Sequence, residues 1–336
     1  MDRESEVIRR IARAIQARGA GRGGLRLGIG DDAAVIKAGG RTDWVISCDV
    51  FLEGVHFVGE KHPPDSVGYK SLARAASDLV AMGAVPRMFL LTLALPARRS
   101  GAWLDRFLEG MSRAARELGM CLIGGDTSRS PTVSISITVL GEVVEGRAVR
   151  RSGARPGDII YVSGRLGRAQ LGLELVNHSG PRELRKLIKD QSRLMQPHLY
   201  PKIPVALGAW LGKQRVASAM MDISDGLSTD LARLCTASGV GARLWAERIP
   251  CVVIPGGLAK QLGKLKSDPL EMALNGGDDY ELLFTVPPRR AKRLQGAPGF
   301  REIAAIGEIE RGKQIVLTDA DGRARGLKPG GWDSFR

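Results

Sequence analysis

The sequence predicts a two-domain protein of the α/β (α+β) class. Apolar runs of strand length and amphipathic runs of helix length interleave through both halves of the chain. A stretch of charge, glycine and proline, Arg150-Arg151-Ser152-Gly153-Ala154-Arg155-Pro156-Gly157-Asp158, interrupts that pattern near the middle. The 336 residues, 43% hydrophobic and 26% charged, suffice for two cores of ordinary size. The expected units are residues 1–148 and 149–336.

A helix is expected over residues 3–18, because Val7, Ile8, Ile11 and Ile15 share one face and Gly19 offers a cap. Apolar runs at 33–36 and 44–48 read as strands. Residues 65–82 read as a helix opened by an acid and closed by Gly83, with Leu72, Ala75, Ala76, Leu79 and Val80 on its packed side. Asp78 falls inside that pattern. The run 87–95 alternates poorly but is strongly apolar, which suits a central strand; Pro96 ends it. A helix near 102–118, a strand at 121–123 and a β-rich run at 132–144 complete the first half. The second half opens with a strand at 159–162 and passes through helices near 169–176, 181–188 and 203–211. A strand at 217–221 leads through Asp222-Ile223-Ser224-Asp225-Gly226 into a helix at 227–237. Strands at 280–286, 302–309 and 314–317 then mix with helices near 257–265, 270–274 and 289–294.

The bulk numbers exclude several classes. No apolar run approaches the length needed to span a membrane. Asp2, Glu4 and Glu6 stand where a secretory leader would be basic and then apolar, so a cytoplasmic location is expected. Cys48, Cys121, Cys235 and Cys251 match no zinc or redox spacing and read as reduced thiols. A net charge of +14 raises the question of nucleic acid. The charge is mostly arginine spread over many helices, so a solvated surface is the expectation and nucleic acid is not expected as a partner. Residues 18–24 form an RGG-like segment that reads as a connector, with RNA contact as its alternative. A positive field also attracts phosphates.

The chemistry is carried by short aspartate signatures: Gly30-Asp31-Asp32, Cys48-Asp49, Ser77-Asp78, Gly124-Gly125-Asp126, Asp222-Ile223-Ser224-Asp225 and Gly276-Gly277-Asp278-Asp279. Aspartate beside glycine often just makes turns. These lie at strand ends and on an apolar helix face, where convergence would set like charges together at about 4 kcal/mol per pair at 4 Å. Hard oxygens without His or Cys favour Mg²⁺, which joins carboxylates to phosphates. No phosphate loop, Rossmann fingerprint or protein-kinase signature is present. Metal ions and glycine-flanked amides must then bind any phosphate. Each motif also has a bland alternative: an Asx-turn at Asp31-Asp32, an ion pair of Asp78 with Arg74, a cap from Ser224 or Asp225, and a surface turn at Asp278-Asp279. His56 alone reads as structural.

Gly28-Ile29-Gly30-Asp31-Asp32, residues 77–84 (Ser77-Asp78 to Gly83-Ala84), Leu122-Ile123-Gly124-Gly125-Asp126-Thr127, residues 222–231 and Asn275-Gly276-Gly277-Asp278-Asp279-Tyr280-Glu281-Leu282 occur in one order along nearly the whole chain. In that order they resemble the thiamine-monophosphate kinase family of the aminoimidazole ribonucleotide synthetase-like superfamily. Selenophosphate synthetase is set apart by an early loop with reactive Cys or selenocysteine, which this sequence lacks. The resemblance implies an amino-terminal sheet domain that dimerises and a carboxy-terminal α/β domain packed against it. It implies ATP-dependent phosphorylation of thiamine monophosphate to thiamine diphosphate by direct in-line transfer with several Mg²⁺ ions. It further implies metal ligation by Asp32, Asp49, Asp78, Asp126, Asp222 and Asp225 with oxygens from Ser47 and Cys48, ATP contacts from Gly125, Asp126, Arg151 and Ser224, and acceptor contacts from His56, Asp278 and Trp332.

Two positions depart from the family pattern. Cys48 stands where Thr or Ser is common, and a thiol is a poor Mg²⁺ ligand, so only its carbonyl could serve. Asp278 stands where Glu is frequent, which shortens its reach. The alternatives are a superfamily relative acting on another phosphorylated or heterocyclic acceptor, or a non-catalytic basic RNA-binding protein on the same scaffold.

Overall fold

The computed structural model describes residues 3–15, 24–256, 258 and 268–334. The amino-terminal helix α1 spans Arg3–Ile15. A six-stranded sheet follows, made of β1 (Leu25–Leu27), β2 (Ala34–Gly39), β3 (Thr42–Leu52), β4 (Val85–Leu95), β5 (Cys121–Arg129) and β6 (Ser134–Val144) in the order β1-β2-β3-β6-β4-β5. Helices α2 (Pro64–Ala81) and α3 (Ala102–Leu118) cover one face of it. They approach closely because glycine stands at both contacts: a Cβ at Gly68 would lie 2.0 Å from the Phe107 carbonyl oxygen, and one at Gly110 1.8 Å from that of Asp65. α2 is buried along nearly its whole length, Lys70 included at 2% exposure. That burial sets it between the first sheet and the second half of the molecule.

The second sheet comes from a separate stretch of chain. It contains β7 (Ile159–Val162), β8 (Ala219–Ile223), β9 (Gly241–Trp245), β10 (Glu281–Val286), β11 (Ala304–Glu310), β12 (Ile315–Thr318) and β13 (Ala324–Gly326), ordered β13-β12-β9-β11-β7-β10-β8. Around it lie α4 (Arg168–His178), α5 (Pro181–Asp190), α6 (Ser192–Leu199), α7 (Val205–Gln214), α8 (Leu227–Ser238) and α9 (Pro269–Asn275). α7 packs its apolar side with Val80 and Ala81 of α2 and with Tyr161, Met220 and Phe284 of the second sheet, so one apolar cluster joins the two halves. No helix among the described residues is long and apolar enough to cross a membrane.

Several elements run differently from the sequence expectation. β3 continues to Leu52 and β5 to Arg129, so Asp49 and Asp126 lie within strands and not at their ends. In β5 the reason is glycine: Gly124 and Gly125 take φ of 152° and 155°, which lets the chain stay paired with β4. At Gly125 a Cβ would sit 1.8 Å from the Leu91 carbonyl oxygen. β1, β9, β13 and α6 were not expected; three are short or edge strands, and α6 carries an internal Pro197 that argues against helix. The helix expected at 257–265 and most of the RGG-like segment lie outside the described residues.

Candidate functional site

Three carboxylates from three elements meet at the junction of the halves. Asp32 precedes β2, Asp78 lies in the last turns of α2 and Asp222 in β8, and each offers an oxygen within 4.8 Å of the others. At that spacing an ionised pair repels by about 3.5 kcal/mol in an effective dielectric near 20. Burial, with this repulsion added, pushes Asp222 up to about 7 and Asp78 well above the ordinary carboxylate range. Hydroxyls buffer the cluster: Ser47 Oγ donates to Asp78 Oδ2 at 2.6 Å and Ser77 Oγ to Asp222 Oδ2 at 2.6 Å. Asp32 Oδ1 accepts from Arg151 Nε at 3.0 Å, whereas its Oδ2 is buried without a hydrogen-bond partner. Three carboxylates this close together, one of them with a buried oxygen that lacks a hydrogen-bond partner and with the Ser47 and Ser77 hydroxyls beside them, fit a divalent cation such as Mg²⁺.

Around this centre the other expected residues fall into two groups. Asp49 is bonded by Arg74 through Nε (2.7 Å) and Nη2 (3.2 Å) and contributes to the repulsion at Asp78. Arg74 therefore pairs with Asp49 and not with Asp78, one helical turn away. Asp225 pairs with Arg233, and Trp332, half-exposed, donates its backbone N–H to the Asp225 carbonyl at 3.0 Å. Ser224 anchors the facing loop, its carbonyl accepting from the Asp278 N–H at 2.8 Å. Neither Ser224 nor Asp225 caps α8. No side chain caps it; Asp230, buried in the first turn of α8, instead ties down the preceding loop, its Oδ2 accepting from the N–H groups of Ser224, Asp225 and Gly226 at 3.1, 3.0 and 3.1 Å. The Arg151 backbone N–H reaches Asp31 at 3.0 Å, so this arginine closes over both carboxylates of the first motif.

His56 and Asp278 occupy the neighbouring side. His56 Nδ1 accepts from the Leu52 N–H at 3.0 Å, which leaves Nε2 as the donor. Burial, with Arg74 nearby, lowers its pKa to about 4, so the ring is neutral. Asp278 and Tyr280 sit in the left-handed region at φ 67° and 50°, a costly conformation for side-chain-bearing residues that the loop contacts enforce. Asp278 accepts from the Tyr280 hydroxyl at 2.6 Å and from Lys70 Nζ at 2.7 Å. Burial alone would raise Asp278; Lys70, His198 and Arg74 outweigh it and hold the carboxyl well below its usual range.

Lys70 was not among the expected site residues. Its ammonium also lies 3.4 Å from His198 Nδ1, and His198 Nε2 lies 3.0 Å from His62 Nε2. A lysine only donates, so His198 Nδ1 accepts, His198 Nε2–H donates to His62, and His62 Nδ1–H is left for the Val58 carbonyl at 3.1 Å. One buried chain thus runs from the first half through Lys70 to Asp278. Mid-helix lysine in an apolar stretch was the available signal.

Three expected residues stay apart from this centre. Cys48, Val50, Leu90 and Thr92 are exposed on the face of the first sheet away from the helices, and the pairing rows Val50–Ser136–Thr92–Asp126 and Cys48–Thr138–Leu90–Gly124 put Asp126 there as well. Gly125, next to it, lies in the same edge strand. The Cys48 thiol meets Thr138 Oγ1 at 3.4 Å, whereas Ser47 on the opposite face bonds Asp78. β2 pairs with β3 only as far as Ile46, which leaves one backbone edge free beyond it. From β3 to β5 are three strand spacings, about 14 Å. Within one chain, Asp126 stands across the sheet from the cluster.

Residues 30–143 match the model of the AIR synthase related protein, N-terminal domain, and residues 155–320 that of its C-terminal domain. The thiamine-monophosphate kinase of Aquifex aeolicus (strain VF5) is 34% identical over 307 residues, 91% of this chain and 92% of the relative. That of Escherichia coli (strain K12) is 36% identical over 313 residues, 93% of this chain and 92% of the relative. The solved structure of AaThiL complexed with AMPPCP and TMP superposes with a TM-score of 0.80 at 33% identity, covering 98% of this chain and 96% of that one. On family models that cover most of its length and relatives of this closeness, the chain belongs to the AIR synthase related family and, within it, to the thiamine-monophosphate kinases.

Proposed function

We propose that the protein transfers the γ-phosphoryl group of ATP directly to the phosphate of thiamine monophosphate, giving ADP and thiamine diphosphate, and works as a homodimer. The observation that carries this reading is the largely buried Asp32, Asp78 and Asp222 cluster with its unpartnered oxygen, beside a second group of polar residues suited to an acceptor. Mg²⁺ ions held by Asp32, Asp49, Asp78, Asp222 and Asp225, with the Ser47 hydroxyl, the Cys48 carbonyl and Asp126, would supply charge neutralisation between two phosphate anions. Residues 1–148 and 149–336 each contribute part of the site, so the packing of one half on the other completes it.

On the donor side, Arg151 and the backbone of Ser224, which bracket the aspartates, would meet ATP phosphates, and Gly125, which within one chain lies apart from the cluster beside Asp126, would allow close backbone approach. On the acceptor side, the neutral His56 presents Nε2–H as a donor, and the ionised Asp278 complements a cationic heterocycle. The exposed Trp332 ring offers a face for that cation, worth about 0.5–2 kcal/mol. A phosphate acceptor is already ionised near neutral pH, so no general base is needed, and the transfer is direct.

ADP release coupled to a reporter should be seen with thiamine monophosphate and not with thiamine or an aminoimidazole precursor. Asp78→Asn should lower kcat at least a thousandfold with an unchanged circular-dichroism spectrum. Turnover retained in Asp78→Asn would overturn the metal assignment. Labelled protein recovered after mixing with γ-labelled ATP would overturn direct transfer.

A further inference from the structure

Away from the aspartates, where the segment joining the halves meets the end of α7 and the start of the chain after β10, lies a cleft of about 830 Å³. Six arginines line it: Arg147, Arg150, Arg155, Arg215, Arg289 and Arg290. The one acid in its wall, Asp158, is buried and already satisfied by Ser218 Oγ at 2.6 Å and the Arg155 N–H at 3.0 Å. Among the described residues none of the six guanidinium groups is ion-paired, in contrast to Arg74, Arg151 and Arg233 of the aspartate site. Arg290 is instead held by the Arg215 carbonyl at 2.9 Å.

Arg215 is the informative member. It closes α7 at φ 51°, the left-handed position where a helix end ordinarily carries glycine, and a side chain there is strained. The chain nonetheless places a long cation at that point, on the rim of a cleft already crowded with like charge. Arginines without ion-pair partners lining one concavity repel each other and focus a positive field into it. An anion of high charge relieves both, and the planar fork of arginine matches phosphate oxygens two at a time.

We propose that this cleft is a second anion site, separate from the aspartate centre, that takes an oligophosphate chain, free or as part of a nucleotide. The volume suits a small molecule, since ligand pockets run from roughly 300 to 1,000 Å³. The number of arginines exceeds what a single orthophosphate would engage. Part of the +14 net charge then has a specific use.

Isothermal titration of the full chain with inorganic tripolyphosphate, in EDTA so that no divalent cation is available at the aspartates, tests the proposal. The expected result is saturable binding that weakens at least tenfold in the Arg155→Glu, Arg215→Glu, Arg289→Glu triple variant. KM values for ATP and thiamine monophosphate should be unchanged in that variant. Arg215→Gly removes the strain as well as the charge, so it should melt no lower than the parent and still bind tripolyphosphate more weakly, about fivefold. Citrate and a ten-nucleotide single-stranded RNA serve as comparison ligands, and ATP titrated under the same conditions distinguishes the nucleotide from the free chain. Tripolyphosphate affinity that is unchanged in both variants would overturn the site. Citrate binding as tightly as tripolyphosphate would overturn the phosphate class, and arginine-dependent binding of RNA alone would reassign the cleft to nucleic acid.

Discussion

Lys70 shows what a single residue does here that its type does not announce. A lysine at 2% exposure survives in a helix core only because Asp278 and His198 accept hydrogen bonds from its ammonium group. Burial lowers its pKa, and Asp278 opposes that shift. The pair crosses from α2 to the loop before β10 and fixes a strained residue on the proposed acceptor side. Lys70→Met should therefore raise KM for thiamine monophosphate about tenfold or more while leaving KM for ATP within about twofold, a loss near 1.4 kcal/mol at one subsite. It should also destabilise by about 3 kcal/mol, because an uncompensated carboxylate remains. Adding Asp278→Asn should restore part of that stability in urea unfolding, and equal loss in single and double variants would reject the pairing. Asp32, Asp78 and Asp222 were legible in the sequence because aspartate is out of place at apolar strand ends and mid-helix. Lys70 and Asp230 were not, because a lone lysine or a fourth aspartate in a helix reads as surface until the fold buries it.

At the scale of elements, β5 sits where sequence pattern is weakest. Its nine residues are all exposed and its outer edge has no partner strand among the described residues, although Leu122 and Ile123 are apolar and half-exposed. Val50 and Leu90 add to the same uncovered surface at 42% and 37% exposure. Such a face and edge call for a partner, and the dimer proposed above supplies one. Periodicity placed α3 and β6 within a few residues because each buries one clear side, and α2 was placed by its opening acid and closing glycine although it is buried nearly all round; the pattern ended β3 and β5 too early because Asp49, Gly124 and Gly125 look like turn residues. The side of the sheet on which Asp126 falls depends on pairing register, which no local pattern reveals. Since Asp126 stands across the sheet from its own cluster, its metal role requires the partner's Asp126 to reach the site. Chains carrying Asp126→Asn are then expected to regain activity when refolded together with chains carrying Asp78→Asn, up to about a quarter of the parent by random mixing of two chain types. Each mixed dimer would hold one intact site. No recovery in the mixture, with both variants dimeric by light scattering, would place Asp126 outside a shared site.

For the whole molecule, gathering these carboxylates makes stability depend on pH and on cations together. Asp222 titrates near 7 in the folded protein and near 3.9 when unfolded. A raised acid pKa means the folded state holds the proton more tightly, so there is no penalty below about pH 4. Stability is lost as pH climbs through 4 to 7 at about 1.4 kcal/mol per unit, and the loss is complete above 7. Asp31 at about 6, and Asp279 and Glu281 at about 7, act in the same direction. Asp279 accepts from the N–H groups of Gly167 and Ala169, and Glu281 from Ser163, so those two are satisfied without a cation. The cluster differs because the divalent ion proposed for it would compete with protons for the same oxygens. Melting temperature without Mg²⁺ should fall between pH 5.5 and pH 8. Addition of 10 mM Mg²⁺, a chosen saturating concentration of roughly physiological order or above, should raise it markedly at pH 8 and scarcely at pH 5.5. Asp78→Asn, which removes one of the three charges, should melt higher than the parent at pH 8 without Mg²⁺ and gain less from its addition. Equal Mg²⁺ gains at the two pH values would mean that the ion binds elsewhere, and the charge problem at the domain junction would need another solution.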